Sequence, residues 1–185
     1  MNRERPWVIV PGIWNSDPEH WQSRWQAERG GDAVRIAPTS WSEPEPADWF
    51  AAIDRAIAAV DGPPVLVAHS LGVLAVAGWL AADGGRNDDG RVAGAFLVAA
   101  PDPGAPGFPE AAAGFAAPDR AVRTPTLLVV SDDDPYCTPE RAEAMAASLG
   151  SDVRRIGAHG HVNVASGVGE WPDGRALLEE FARGC

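Results

Sequence analysis

The chain has 185 residues, a length typical of one domain, and its 45% hydrophobic and 22% charged residues fit a soluble globular protein and exclude wholesale disorder. The formal net charge of −11 repels phosphate backbones and anionic lipid surfaces, so neither nucleic acid nor a membrane is an expected partner. We therefore predict a single domain over residues 1–185.

Cysteine usage and the amino-terminal segment favour a cytoplasmic protein. Cys137 and Cys185 are too few for the disulfide framework of a small secreted domain. The segment MNRERPWVIVPGIW is basic and then apolar, but Pro11-Gly12 ends its apolar stretch too early for a signal-peptide core. No run approaches the roughly 18 apolar residues of a membrane-spanning helix. We therefore expect neither export nor membrane insertion.

Short apolar runs alternate with helical segments along the chain. The first run, Trp7-Val8-Ile9-Val10, lacks polar alternation, which is typical of a strand covered on both faces in a parallel sheet. The predicted strands are residues 7–10, 34–37, 64–68, 95–99, 126–130 and 153–156. The predicted helices are residues 18–28, 47–60, 70–80, 139–149 and 175–182.

This alternation predicts βαβ units with right-handed crossovers. Such units place helices on both faces of the sheet, so the predicted fold class is a three-layer α/β/α sandwich with a mostly parallel sheet of about six strands. Residues 101–122 are too rich in proline, glycine and alanine for a single helix and are long for a simple connection. We expect them to form a loop beside the functional site.

Polar side chains with catalytic potential follow three of the predicted strands. Ligands of an open α/β sheet bind beyond the carboxyl ends of the strands, so residues at those positions are the candidates. Ser70 follows the third strand, three aspartates at 132–134 follow the fifth, and His159 and His161 follow the sixth. Serine, aspartate and histidine thus occur in the chain order of an α/β hydrolase.

The segment Ala68-His69-Ser70-Leu71-Gly72 has the small-x-Ser-x-Gly pattern of a nucleophile elbow. A sharp strand-to-helix turn presses the positions two before and two after the serine against backbone, so both must be small, and alanine is small enough. The serine lies at a helix N-terminus, where free N–H groups and the helix dipole favour developing negative charge. We predict Ser70 as a nucleophile.

A serine hydroxyl needs a base within hydrogen-bond reach, and histidine titrates near neutral pH. His161 is the preferred base because Gly-His is the usual end of such a strand-to-loop connection, and His159 is the alternative. His69 is interpreted as structural, because a sharp turn directs the side chains of neighbouring residues apart.

The third member of a catalytic triad is a carboxylate that fixes the imidazole tautomer and stabilises the imidazolium. We predict Asp134, because Pro135 after it favours an extended conformation that reaches across the end of the sheet. Asp132 and Asp133 are interpreted as turn-forming or solvated residues.

Acyl transfer also needs N–H donors for the oxyanion. The backbone N–H of Leu71, directly after the nucleophile, is the expected first donor. The second is expected from the loop after the first strand, where Gly12 lets the backbone turn close to the substrate. The N–H of Ile13 is the preferred donor and that of Trp14 is the alternative.

Eight tryptophans are unusually many for this length and suggest an aromatic groove for an apolar acyl or aryl group. Most of them are expected to pack in the core. Trp14, one residue past the predicted oxyanion loop, and Trp41 are the predicted substrate-binding aromatics. Cys137 lies near Asp134, but nothing near it in sequence lowers a thiol pKa, so it is interpreted as a packing residue.

Five segments, spread over nearly the whole chain, resemble one known family. They are VPGIWNSDPEHWQSRW, VLVAHSLG, FLVAAPDPGAPGFP, SDDDPYC and GHVNVASGVGEWPDG. The family is that of the small single-domain serine hydrolases that include the retinoblastoma-binding hydrolase and its bacterial YdeN-like relatives. Together the segments are much more specific than a hydrolase elbow alone.

The resemblance implies Ser70 as nucleophile, Asp134 in the DPYC segment as acid and His161 in GHVN as base, in agreement with the interpretation of the strand ends. It also implies a compact α/β-hydrolase fold without a large cap domain, and esterase-like activity. The L-x-C-x-E segment linked to retinoblastoma binding is absent, so that partner is not expected.

These features predict a serine hydrolase, independent of metals and cofactors, that cleaves small acyl esters through a Ser-His-Asp triad. An uncapped domain offers an open, shallow pocket suited to short acyl groups. Two alternatives are a protein-binding module whose triad is vestigial and a thioesterase or amidase that uses the same triad.

Overall fold

The computed structural model describes residues 4–82 and 90–185 of the chain. Six strands form one sheet in it. They are β1 (Trp7–Val10), β2 (Ala33–Arg35), β3 (Val65–His69), β4 (Gly94–Val98), β5 (Thr126–Val130) and β6 (Asp152–Arg155). Their order is β2-β1-β3-β4-β5-β6, and each neighbouring pair is parallel. All six carboxyl ends therefore lie at one edge, where the predicted site residues follow.

Five helices cover the two faces of the sheet. They are α1 (Trp21–Arg29), α2 (Pro46–Ala58), α3 (Leu71–Ala81), α4 (Pro139–Leu149) and α5 (Pro172–Gly184). Buried residues of α2, α3 and α4 pack with one set of strand side chains, and those of α1 and α5 pack with the other set. This confirms the predicted three-layer α/β/α fold.

The two faces of β1 explain its continuous apolar pattern. Val8 and Val10 belong to the core under α2 and α3, whereas Trp7 and Ile9 belong to the core under α1 and α5. Successive side chains of a strand point to opposite faces, so a strand covered on both faces needs an apolar residue at every position. The edge strand β6 is exposed throughout and carries charged side chains, as a protected sheet edge requires.

Helices α1 and α5 differ from the sequence prediction by three residues at their first residue, whereas the bounds of every other predicted element differ by at most two. Helix α1 begins at Trp21 rather than at 18, because His20 caps it: the His20 side chain accepts from the Gln22 N–H, and the His20 N–H closes a preceding turn onto the Asp17 carbonyl. Helix α5 extends over Pro172–Gly184 rather than 175–182, with Pro172 in its first turn.

The segment 101–122 is irregular apart from one 3₁₀ turn over Glu110–Ala112, as predicted. It crosses the carboxyl edge of the sheet after β4 and contributes residues to the cavity described below. Among the helices of residues 4–82 and 90–185, none is both long and apolar enough to cross a bilayer.

Candidate active site

Ser70 occupies a strained turn between β3 and α3. Its backbone has φ 56° and ψ −126°, a region that residues other than glycine rarely adopt. Its N–H donates to the Val98 carbonyl of β4 at 3.0 Å, which fixes the turn to the sheet. Strain of this kind persists only where the surrounding structure holds it, and it clusters at functional sites.

Small residues around the turn allow three backbone segments to meet. A Cβ atom at Gly72 would lie 2.2 Å from the Val10 carbonyl oxygen, and one at Gly12 would lie 2.9 Å from Ser70 Cβ. Both glycines are therefore required by close approach rather than by their φ angles. Ala68 is fully buried and fits at the first small position of the elbow, as expected from the sequence.

The strained backbone makes a stability prediction. We expect Ser70→Gly to have a free energy of unfolding about 1 kcal/mol higher than Ser70→Ala, because glycine adopts positive φ without a Cβ penalty. Urea denaturation of the two variants measures the difference. Ser23 lies inside helix α1, where glycine is unfavourable, and supplies the control. There the difference in the free energy of unfolding should have the opposite sign, with Ser23→Gly about 1 kcal/mol less stable than Ser23→Ala. A Ser70→Gly variant less stable than Ser70→Ala would refute the prediction.

The side chains of Ser70, His161 and Asp134 form one continuous hydrogen-bonded chain. His161 Nε2 lies 2.8 Å from Ser70 Oγ, and His161 Nδ1 lies 2.9 and 3.0 Å from the two carboxylate oxygens of Asp134. The side chains of His161 and Asp134 are only 8% and 4% exposed. With the proton on Nδ1, facing the carboxylate, Nε2 is an acceptor for the Ser70 hydroxyl proton. The arrangement can therefore turn the hydroxyl into a nucleophile.

The three consecutive aspartates have separate structural partners. Asp134 reaches His161, and its Oδ1 also accepts from the Tyr136 N–H at 2.9 Å. Asp133 accepts from the Gly160 N–H at 2.7 Å, and this bond holds the Asp133 pKa below its ordinary value. Asp132 forms an ion pair with Arg155 of the edge strand β6. Asp133 thus ties the end of β5 to the histidine loop.

His159 does not reach Ser70. Its N–H donates to Ser131 Oγ at 2.9 Å, and it lines a second cavity, beside Trp171 and Leu177. The structure therefore brings the preferred histidine, not the alternative, to the serine.

His69 supports the backbone of the histidine loop. Its Nε2 donates to the His161 carbonyl at 2.8 Å, and its ring centroid lies 4.9 Å from that of His161. His69 is buried, and burial lowers its pKa well below the ordinary value, with His20 and His161 adding smaller effects. A neutral imidazole at this position places no positive charge beside the His161 ring.

His20 was not identified from the sequence, yet it lines the same cavity. Burial, followed by the charges of Arg35 and His161, lowers its pKa from 6.5 to about 4. Its Nδ1 accepts from the Gln22 N–H, so the neutral ring carries its proton on Nε2. His20 and His69 pack with ring centroids 4.8 Å apart, and the two neutral rings form a buried layer behind His161.

The low His20 pKa makes stability depend on pH. The unfolded chain takes up the proton near pH 6.5 and the folded chain only near pH 4, so the free energy of unfolding falls as the pH drops between these values. His69 acts in the same direction. We expect His20→Asn, which keeps a capping side chain, to reduce this slope by about 1.4 kcal/mol per pH unit, the value for one proton. Urea denaturation from pH 4 to 8 measures it; an unchanged slope would contradict the assignment.

The backbone beside Ser70 offers two N–H groups for an oxyanion. The N–H of Leu71 is the first of α3 and has no intrahelical acceptor. The N–H of Trp14 is already used, since it donates to the Trp41 carbonyl at 2.9 Å. The Ile13 N–H has no partner in the described part of the chain. Of the two alternatives left open by the sequence, the geometry thus favours Ile13.

A cavity of about 560 Å³ opens beside Ser70 and His161. Its walls come from the loop after β1, from the segment 101–122 and from the loops after β5 and β6. Trp14 is on this wall and is 67% exposed. Trp41 is not: it packs edge-on against Trp49 in the core, with ring centroids 5.5 Å apart. The substrate-binding prediction for Trp41 is therefore not supported by its position.

Tyr136 is a cavity residue that the sequence analysis missed. Its ring centroid lies 4.6 Å from that of His161, edge to face, and its side chain is 45% exposed. The signal was available, because Tyr136 is two residues past Asp134 and must follow it around the same strand end. Cys137, the next residue, is buried, and burial raises its thiol pKa to about 12, in agreement with its interpretation as a packing residue.

Several tryptophans hold the loop that carries His161. The indole N–H of Trp21 donates to the Val162 carbonyl at 2.8 Å, and that of Trp25 donates to the Glu170 carbonyl at 3.0 Å. Trp171 stacks on Trp25 at a centroid distance of 5.7 Å. These core rings therefore anchor Val162, the residue after His161, which accounts for much of the tryptophan content.

A parallel sheet with a serine at the turn between its third strand and the following helix is the α/β-hydrolase fold, here without a large cap domain among the described residues. A family model described as serine hydrolase matches residues 7–180. The chain belongs to the serine hydrolase family. No curated protein sequence matches it.

Solved structures agree with the family assignment. A YdeN-like hydrolase from Pectobacterium atrosepticum is 32% identical, with a TM-score of 0.82 over 98% of this chain and 92% of that chain. The ydeN gene product of B. subtilis is 17% identical, with a TM-score of 0.71 over 96% and 98%. An α/β hydrolase from a lagoon-sediment metagenome is 15% identical, with a TM-score of 0.73 over 98% and 92%. The last two show a shared fold.

Proposed function

We propose that this serine hydrolase is a carboxylesterase for small acyl esters. The observation that carries the proposal is the chain of hydrogen bonds from Asp134 through His161 to Ser70 Oγ, at the wall of an apolar cavity. Both acid and base are almost fully shielded from water, which strengthens their interaction and fixes the imidazole orientation.

In the proposed reaction, His161 takes the hydroxyl proton as Ser70 Oγ attacks the ester carbonyl. The N–H groups of Leu71 and Ile13 stabilise the oxyanion of the tetrahedral intermediate. The His161 imidazolium then protonates the leaving alkoxide, so that an alcohol departs and an acyl-enzyme remains. Water, deprotonated by His161, then attacks the acyl carbonyl; the bond to Ser70 Oγ breaks, the acid leaves, and the His161 imidazolium returns a proton to Ser70 Oγ. Asp134 stays ionised throughout and stabilises the imidazolium.

The cavity supports a small-molecule ester as substrate. Its volume of about 560 Å³ is within the range of small-molecule sites. Trp14, Phe108 and Tyr136 give it aromatic walls, and Trp14 is the proposed contact for an apolar acyl or aryl group. The proposed compartment is the cytoplasm, in keeping with the free thiols of Cys137 and Cys185.

Hydrolysis of p-nitrophenyl esters from acetate to dodecanoate, together with labelling by a fluorophosphonate probe, tests the proposal. We expect labelling at Ser70 and the highest kcat/KM at short or medium chain length. Failure to label at every pH from 6 to 9, with no ester hydrolysed, would favour a binding module. Thioesters and amides with the same acyl groups belong in the panel, because faster cleavage of either would replace the ester assignment.

A further inference from the structure

Among the residues that the structure describes, the wall of the cavity beside Ser70 includes carboxylates but no arginine. All fifteen basic residues of the chain are arginines, and none of those that the structure describes lines the cavity. Two aspartates do: Asp17, which is exposed, and Asp102, which pairs with Arg141 at 3.1 Å. The other ionisable side chains on the wall are Tyr136 and three histidines. Two of the histidines, His20 and His69, are buried and neutral at pH 7.

Exposed apolar side chains are concentrated at the same cavity. Within the described ranges, the large hydrophobic residues that are substantially exposed are Trp14 (67%), Tyr136 (45%), Val164 (42%) and Val153 (39%). The first three line the cavity, whereas Val153 is on the edge strand β6. We call Trp14, Tyr136 and Val164 the apolar collar. Exposed apolar surface of this kind marks a place where an apolar ligand or partner binds.

Charge and apolar surface together restrict the substrate. An anionic acyl or leaving group would lose its hydration on entering the cavity, and no arginine among the described wall residues would replace that hydration, which is costly. Recognition of carboxylate or phosphate normally uses such cations. Asp17 and the net charge of −11 add repulsion on approach. A neutral apolar group meets none of these costs and gains contact with the collar.

From these observations we infer that the site selects uncharged, apolar esters and discriminates against anionic ones, including acyl groups carried on phosphate-bearing thiols such as coenzyme A. This inference rests on the proposed esterase function and names its substrate class. It also distinguishes the proposed esterase from a thioesterase that acts on acyl groups carried by a phosphate-bearing thiol.

A matched pair of esters tests the inference. p-Nitrophenyl hexanoate and mono-p-nitrophenyl adipate have acyl chains of equal length and the same leaving group, but only the adipate has a carboxylate. After subtraction of spontaneous hydrolysis, we expect kcat/KM to be at least about tenfold higher for the hexanoate. We expect 0.5 M NaCl to narrow the ratio, because salt screens the repulsion on approach.

Two charge-reversal variants test whether the selection against the anionic ester arises at the cavity wall. Asp17→Arg places a cation at the cavity wall and should reduce the hexanoate-to-adipate ratio about fivefold or more. Glu180→Arg on α5 changes the net charge by the same amount away from this cavity, and should leave the ratio within about twofold. Circular dichroism establishes that both variants are folded.

The outcomes separate the inference from the function on which it rests. Equal kcat/KM for the two esters, with Ser70 still labelled by fluorophosphonate, would overturn the charge selection and leave the esterase proposal standing. An equal response to Asp17→Arg and Glu180→Arg would assign the selection to net charge and refute the cavity as its origin. No hydrolysis of either ester, and no labelling, would overturn the function and this inference with it.

Discussion

Replacing Ser70 with alanine is expected to lower kcat for ester hydrolysis by about 10⁶-fold, the loss typical of removing a nucleophile from a serine triad. The variant keeps the proposed oxyanion donors and the cavity, so the activity that remains measures catalysis without the covalent step. Because alanine retains the Cβ atom and the backbone of the turn, the fold should be unchanged. Steady-state hydrolysis of p-nitrophenyl butyrate measures the effect.

Fluorophosphonate labelling supplies the second readout for this variant. The wild type should be labelled at one serine and Ser70→Ala not at all. Ser151→Ala is the matched control, because Ser151 follows α4 and its hydroxyl donates to the neighbouring Asp152 carbonyl, away from the cavity. It should retain both labelling and activity. Persistent labelling of Ser70→Ala would show that another residue is the nucleophile.

Asp134→Asn is expected to lower kcat by about 10⁴-fold while the protein remains folded. The carboxylate accepts from His161 Nδ1 at 2.9 Å, which leaves Nε2 free to take the serine proton. An asparagine amide can present an N–H to Nδ1 and so stabilise the opposite tautomer, in which Nε2 carries a proton and cannot act as base. The expected loss is thus in kcat, with KM changed little.

The two neighbouring aspartates are controls for this substitution. Asp132→Asn breaks a surface ion pair with Arg155, and its kcat should stay within about twofold of the wild type. Asp133→Asn weakens the bond to the Gly160 N–H next to His161 and should give an intermediate loss, on the order of tenfold. A larger loss for Asp132→Asn than for Asp134→Asn would refute the assigned acid.

The fold could be predicted because its signals are local. Strands buried on both faces must be apolar throughout, and the helices between them force parallel crossovers, so the class follows from the pattern. The first and last residues of the helices and strands could not be predicted as accurately as the fold class. The start of α1 depends on the His20 cap, and histidine is not among the residues that usually signal an N-cap.

The sequence by itself determined which kinds of group stand at the sheet edge. Parallel strands bring their carboxyl ends together, so Ser70, the aspartates at 132–134 and the histidines after β6 had to lie near one another. Small residues at Gly12 and Gly72 marked where backbones approach. Their catalytic roles stay predictions that the two substitutions above test.

Only the tertiary structure shows which of two residues a few positions apart reaches a given partner. Asp133 accepts from the Gly160 N–H and Asp134 from His161 Nδ1, and the competing Trp14 N–H donates to a carbonyl 27 residues away, at Trp41. The layer of His20 and His69 and the place of Trp41 in the core likewise arise from contacts between distant segments. Such choices depend on side-chain direction and on competing hydrogen bonds, and sequence spacing does not encode either.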